Sequence, residues 1–188
     1  MSFGFEIEQD SLIEGHSILR AIRYAGSKGV TMFAAASNDG KNRPDHVSWP
    51  ARALEVICVH SANGAGQPSW FTPGPYDNEK IMVLGEFVLS AWPERLNHPN
   101  NRRYMSGTSC ATPIAAGIAA IILDYARQFL TPEEWERLRR VDCMQRMLER
   151  MKDERTLNYS WIRPWSFFGK NSESGWIQGE IRKVLRSN

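Results

Sequence analysis

The chain has 188 residues, a formal net charge of +2, 42% hydrophobic and 23% charged residues. That length fits one domain with a sizeable core, and the near-neutral, unbiased composition excludes a disordered chain, a polybasic nucleic-acid binder and a charged membrane-surface protein. Unpaired Cys58, Cys110 and Cys143 and scattered histidines exclude a disulfide framework or a Cys/His metal cluster, and MSFGFEIEQD lacks the basic start and apolar stretch of a signal peptide, which favours an intracellular setting.

In chain order, Ser2 to Ile7 can form a short strand. Ser11 with Glu14 has the spacing of a capping box, after which Ile18, Ile22 and Ala25 mark a helical face that ends near Gly29. VTMFAAA (Val30 to Ala36) is a continuous apolar run of strand length, cut by the turn cluster Ser-Asn-Asp-Gly. LEVICVH, within Ala53 to Ser61, is a second buried strand, and Ile81 to Leu84 and Phe87 to Ala91 are two shorter ones. Such runs, with a helix ahead of them, predict parallel strands covered on both faces, an α/β fold.

Ser109 to about Phe129 reads as one helix, with small residues on nearly all sides and Pro113 in its first turn, which predicts burial in the middle of the domain. Its apolar stretch, around Ile114 to Leu123, is short for a membrane span. Thr131-Pro132-Glu133-Glu134 combines a cap, a first-position proline and two acids at the positive helix end. One helix follows, striped by Trp135, Leu138, Val141, Met144 or Cys143, Leu148 and Met151, with Arg137, Arg139 and Arg140 on its solvated face. WIRPWSFF is an irregular aromatic segment. A last helix covers about Gly175 to Arg186, with Trp176, Ile177, Ile181, Val184 and Leu185 inward. Asn158-Tyr159-Ser160 is a glycosylation sequon by pattern alone.

Two segments can carry chemistry. In GTSCATPIAAG (Gly107 to Gly117), Gly107 permits a sharp bend, and Ser109 then sits at the positive end of a helix, where free amides and the dipole stabilise an anion. That is a setting for a nucleophile whose attack creates an oxyanion. Equally, Ser109 or Thr108 can simply cap a buried helix. Asn38 follows an apolar strand at the end where sites gather in open α/β sheets, and its amide can donate to a developing negative oxygen. Read alone it is a turn residue.

Taken together, GTSCATPIAAG and FAAASNDG resemble the nucleophile and oxyanion segments of the subtilisin-like serine proteases (the peptidase S8 family), in the right order along residues 1 to 129. The resemblance implies a parallel-sheet, three-layer subtilisin-like fold. It also implies serine endopeptidase chemistry, with Ser109 attacking a peptide carbonyl and Asn38 holding the oxyanion. A polypeptide substrate would lie between MSFGF, where Ser2, Phe3 and Gly4 offer backbone pairing, and a cleft wall of Ala35, Ala36 and Ser37. No cofactor is expected, and no acidic loop shows a calcium-ligand pattern. A lipase-type Gly-x-Ser-x-Gly elbow is excluded because Ala111 stands two residues after Ser109.

The family's serine is activated by a histidine that an aspartate orients, both earlier in the chain. Neither motif is present. His16 lies 22 residues before Asn38, too close; His46 and His60 follow Asn38; His98, 11 residues before Ser109, matches no motif; and Asp10 lacks the glycine turn. The expectation is a partial peptidase domain over residues 1 to 130, truncated at its N-terminus, with a helical C-terminal extension over 131 to 188. Such a chain would be inactive alone and completed by an N-terminal segment of the same protein. The alternative is a non-catalytic half-domain that binds peptides or complements a partner through its open sheet edge.

Overall fold

The structure, a computed structural model, describes residues 1–3, 16–40, 47–75, 80–96, 99–153, 158–169 and 173–187. The Ser11/Glu14 capping box, Gly4, Asp10, His46 and His98 lie outside the described residues. The described strands are β1 (Ser2–Phe3), β2 (Phe33–Ala35), β3 (Ile57–Ala62), β4 (Ile81–Leu84), β5 (Val88–Ala91), β6 (Arg102–Met105) and β7 (Ser160–Trp161). The helices are α1 (His16–Ser27), α2 (Thr108–Ala126), α3 (Pro132–Leu138), α4 (Val141–Glu149), α5 (Pro164–Phe167) and α6 (Ser174–Arg186).

Five strands form one parallel sheet in the order β1-β2-β3-β4-β7. Every residue of β2 and β3 is buried, as expected of parallel strands covered on both faces. Strand alternation divides these side chains between two cores. Phe33, Ile57 and Val59 join α2 and the C-terminal helices on one face, and Ala34 and Cys58 join Ile22 of α1 on the other. The result is a three-layer α/β fold.

By length and apolar composition α2 could cross a membrane, but one side of it lies on the sheet instead. Ala111, Thr112, Ala115, Ala119 and Ala126 are buried there, and their small size lets the helix approach closely. The expectation of burial on nearly all sides does not hold: Pro113, Gly117, Ala120 and Asp124 are exposed, and Ile121 is 60% exposed. Because α2 begins at Thr108, Pro113 falls beyond the first turn and leaves the Ser109 carbonyl without its helical amide partner.

After residue 131 the predicted single helix is two. The capping box of α3 forms, with Thr131 Oγ1 accepting from the Glu134 amide at 3.2 Å and Glu134 Oε2 accepting from the Thr131 amide at 3.0 Å. The break follows Leu138, where the Arg139 carbonyl accepts a hydrogen bond from the Thr31 hydroxyl at 2.6 Å. A carbonyl drawn to a neighbouring element is one physical cause of such an interruption. The aromatic segment read as irregular supplies β7, which pairs with β4, and then α5. Trp176, expected inward, is 49% exposed and lies against the Phe167 ring, while Ile177, Ile181, Val184 and Leu185 are buried. Ile18, expected on the inner face of α1, is largely exposed, whereas Ile22 is buried.

Candidate active site

The site lies where β2 ends and α2 begins. Beyond β2 the chain runs through buried Ala36 and Ser37 to exposed Asn38. Ala36 is locked into the sheet layer, its amide donating to the Val59 carbonyl at 3.0 Å and its carbonyl accepting from the Ser48 amide at 2.7 Å. Ser37 has φ 140°, a region that disfavours residues bearing a β-carbon. Such backbone costs about 1–3 kcal/mol and persists where surrounding contacts enforce it.

Those contacts come from Thr108, the first residue of α2. Its amide donates to Asn38 Oδ1 at 2.8 Å, and Thr108 Oγ1 lies 3.1 Å from the same oxygen and 3.2 Å from the Ser37 carbonyl. The Ser37 amide in turn donates to Thr108 Oγ1 at 3.4 Å. With Oδ1 held by α2, the orientation of the Asn38 carboxamide is set and Nδ2 faces the other way, free to donate.

Gly107 shows what Nδ2 faces. A β-carbon built on Gly107 would stand 3.1 Å from Ser109 Oγ and 3.3 Å from Asn38 Nδ2. The Ser109 hydroxyl and the Asn38 carboxamide therefore both flank Gly107, so close that a side chain there would press on each. The expected sharp bend is absent: Gly107 is extended, with φ 161° and ψ 157°. Its glycine is required for space, not for conformation. A second glycine supports it. The Gly107 amide donates to the Gly85 carbonyl at 2.8 Å, and a β-carbon on Gly85 would collide with Ser61 Oγ and come within 2.9 Å of the Gly107 carbonyl. Gly85, which the sequence reading did not single out, and Thr108, read there only as a possible helix cap, thus build the site. The spacing of Gly85 from the serine motif carries no local pattern that could have flagged it.

Ser109 is half-buried in the first turn of α2, where amides lack helical partners. The Thr108 amide is taken by Asn38 Oδ1 and the Cys110 and Ala111 amides by the Gly107 carbonyl, so a carbonyl oxygen brought beside Ser109 would meet the Asn38 carboxamide and the Ser109 amide, with the helix dipole favouring negative charge. The neighbouring Cys110 thiol is pushed above its ordinary value by burial, which its hydrogen bond with Ser109 only offsets, so it remains protonated beside the serine.

The remaining predicted site residues sit around this point. Ser2 and Phe3 pair with Phe33 and Ala34, one step before Ala35, and β1 has β2 as its one neighbour among the described strands. Ala35 and Ser37 are buried at the end of β2. On the other side of Asn38 a cavity of about 750 Å³ opens, walled by Asp39, Trp70, Phe71, Thr72 and Tyr159. The β5–β6 ribbon, with β6 fully exposed, leads through Ser106 into Gly107, and Ser106 Oγ accepts from the Phe87 amide at 3.0 Å.

His60 is fully buried on β3 and both ring nitrogens are engaged, Nδ1 lying 3.4 Å from Thr72 Oγ1 and Nε2 3.7 Å from Cys58 Sγ. Its ring meets Tyr159 edge-on, as a satisfied core histidine does. Burial raises the Tyr159 phenol above its ordinary value, with Cys58 adding to the shift, and the phenol donates to the Pro73 carbonyl at 2.8 Å.

Comparison with known proteins bears on this geometry. The chain is 33% identical over 112 residues to the major intracellular serine protease of Bacillus subtilis, covering 57% of this chain and 33% of that protein. It is 33% identical over 147 residues to the serine protease AprX of the same organism, covering 64% of this chain and 32% of the relative. Among solved structures, the PatG macrocyclase domain superposes with a TM-score of 0.67 at 19% identity over all of this chain and 52% of that one, a likeness of fold. The chain thus spans about a third of the length of these curated relatives. The model of the subtilase family (Peptidase_S8) matches residues 1–159, and the chain belongs to that family.

Proposed function

We propose that this chain supplies the nucleophile and the oxyanion hole of a serine endopeptidase, with Ser109 attacking a peptide carbonyl and Asn38 Nδ2 receiving the negative charge that develops on its oxygen. The observation that carries this reading is that the Ser109 hydroxyl and the Asn38 carboxamide flank the same glycine, Gly107, with Asn38 Oδ1 held by the first amide of the Ser109 helix. The substrate is an extended polypeptide, its backbone laid against Ser2 and Phe3 and passing the end of β2 at Ala35 and Ser37; Ala36, expected as part of the cleft wall, has no exposed surface and belongs to the core. The cavity beyond Asn38 is large enough to receive a substrate side chain.

Attack by a serine hydroxyl requires a base to take its proton. With His60 engaged in the core, the base and its orienting carboxylate come in this proposal from polypeptide outside the described residues. The one-sided edge at β1 and the exposed side of α2 favour such a complement. The same features fit the second reading, a non-catalytic half-domain that binds peptides or a partner.

A fluorophosphonate probe separates the two. In the longest natural polypeptide that carries this chain, Ser109 is expected to be labelled and Ser109→Ala is not. Absence of labelling there would exclude the nucleophile role and leave the binding reading.

A further inference from the structure

We propose that Ser37 is a positioning residue for Asn38, its hydroxyl clasping Asp39 across the asparagine so that the carboxamide stays aimed at the site of Ser109. The inference rests on the reading of Asn38 as the oxyanion donor, and it is separate from any part Ser37 plays as a cleft wall.

Ser37 Oγ accepts a hydrogen bond from the Asp39 amide at 3.0 Å and donates to Asp39 Oδ2 at 3.2 Å. These two bonds close a ring over the residue between them, Asn38. From the other side Thr108 holds the Ser37 amide and carbonyl and, separately, Asn38 Oδ1. The residue before the asparagine, the residue after it and its own side-chain oxygen are therefore all tied. Nδ2 is the polar atom of Asn38 that these contacts leave to act.

The backbone makes the choice of serine informative. At φ 140° glycine would sit without strain, yet the chain carries a side chain there, and at 5% exposure its hydroxyl is directed to Asp39 and not to solvent. A purely structural role and a positioning role then predict different outcomes for Ser37→Gly. If Ser37 only builds the turn, glycine relieves the backbone and changes nothing else. If Ser37 orients Asn38, glycine keeps or raises the melting temperature while the oxyanion donor loses its aim. Displacement of a reacting group by about 1 Å can cost on the order of 100-fold, so partial loss of aim is read as about 10-fold.

The test uses the longest natural polypeptide carrying this chain. It compares the rate of Ser109 labelling by a fluorophosphonate, the melting temperature and the Asn38 side-chain amide resonances of the ¹⁵N-labelled protein. We expect Ser37→Gly and Ser37→Ala both to slow labelling about 10-fold and to shift the Asn38 side-chain amide resonances. Only the alanine variant, which keeps the β-carbon at that φ, should also lose thermal stability. If Asn38→Ala is slow while Ser37→Gly reacts like wild type with unchanged Asn38 resonances, the positioning role is wrong and the oxyanion reading stands. If wild type itself is not labelled, the oxyanion reading falls, and the Asn38 resonances alone decide whether Ser37 orients that side chain.

Discussion

The two ends of the sheet differ. Toward the β7 end the described chain covers itself: α4 packs on β4, α3 and α6 pack with α4, and Leu138, Met144, Met147, Leu148 and Ile181 are completely buried. Among the described residues the other edge of the sheet is the two-residue strand β1, and the outer side of α2 presents Gly117, Ala120 and Ile121 to solvent. Asn38, beyond β2, and Ser109, two residues after the Gly107 that bonds to Gly85 beyond β4, stand over the ends of the middle strands, away from both edges. The lesson is that stability and chemistry rest on different contacts here. The C-terminal helices supply apolar packing, and the site is ordered by hydrogen bonds between Thr108, Ser37 and Asn38.

Substitutions can break that contrast. The largest effect is expected at Gly107. Gly107→Ala places a methyl group 3.1 Å from Ser109 Oγ and 3.3 Å from Asn38 Nδ2. It should slow probe labelling at least as much as Asn38→Ala, for which the loss is about 100- to 1,000-fold, the scale seen when one oxyanion donor is removed from subtilisin. Neither should move the melting temperature by more than a few degrees; large unfolding in Asn38→Ala would show that the site also carries stability.

Next comes a pair of substitutions, one in the core and one on the surface, read by denaturant titration. Leu148→Ala, at a residue with no exposed surface, should cost about 2–5 kcal/mol of stability. Ile121→Ala, on the 60% exposed outer side of α2, should stay within about 0.5 kcal/mol. A large cost at Ile121 in the natural polypeptide would show that this side is covered there.

The smallest effect is electrostatic. Burial lifts the Glu149 carboxyl above its ordinary value, against the pull of Lys152, Lys80 and Arg146. A carboxyl raised in the folded state favours folding most below its unfolded value, and that contribution is lost as pH rises through the folded one. Glu149→Gln should therefore raise the melting temperature at pH 7 by about 1 °C, the half-exposed site being screened by solvent, and make no difference near pH 3. An equal gain at both pH values would assign the effect to packing.

Much of this was legible in the chain itself. Continuous apolar runs marked β2, β3 and β4 because strands buried on both faces need no polar side. The small-residue helix after Ser109 and the Thr131 capping box were equally plain, since each rests on contacts within a few residues. The two chemical motifs were local too, and they named Ser109 and Asn38. What tertiary structure alone decided were relations between distant segments. β7 is too short for a periodic signal and exists because β4 offers it hydrogen bonds. The break between α3 and α4 coincides with a hydroxyl from Thr31, more than a hundred residues earlier. The aim of Asn38 depends on Thr108 and the space at its tip on Gly107 and Gly85, brought together by the approach of α2 to the end of β2. Residue types can announce a serine and an asparagine; only packing decides that their polar atoms face one another.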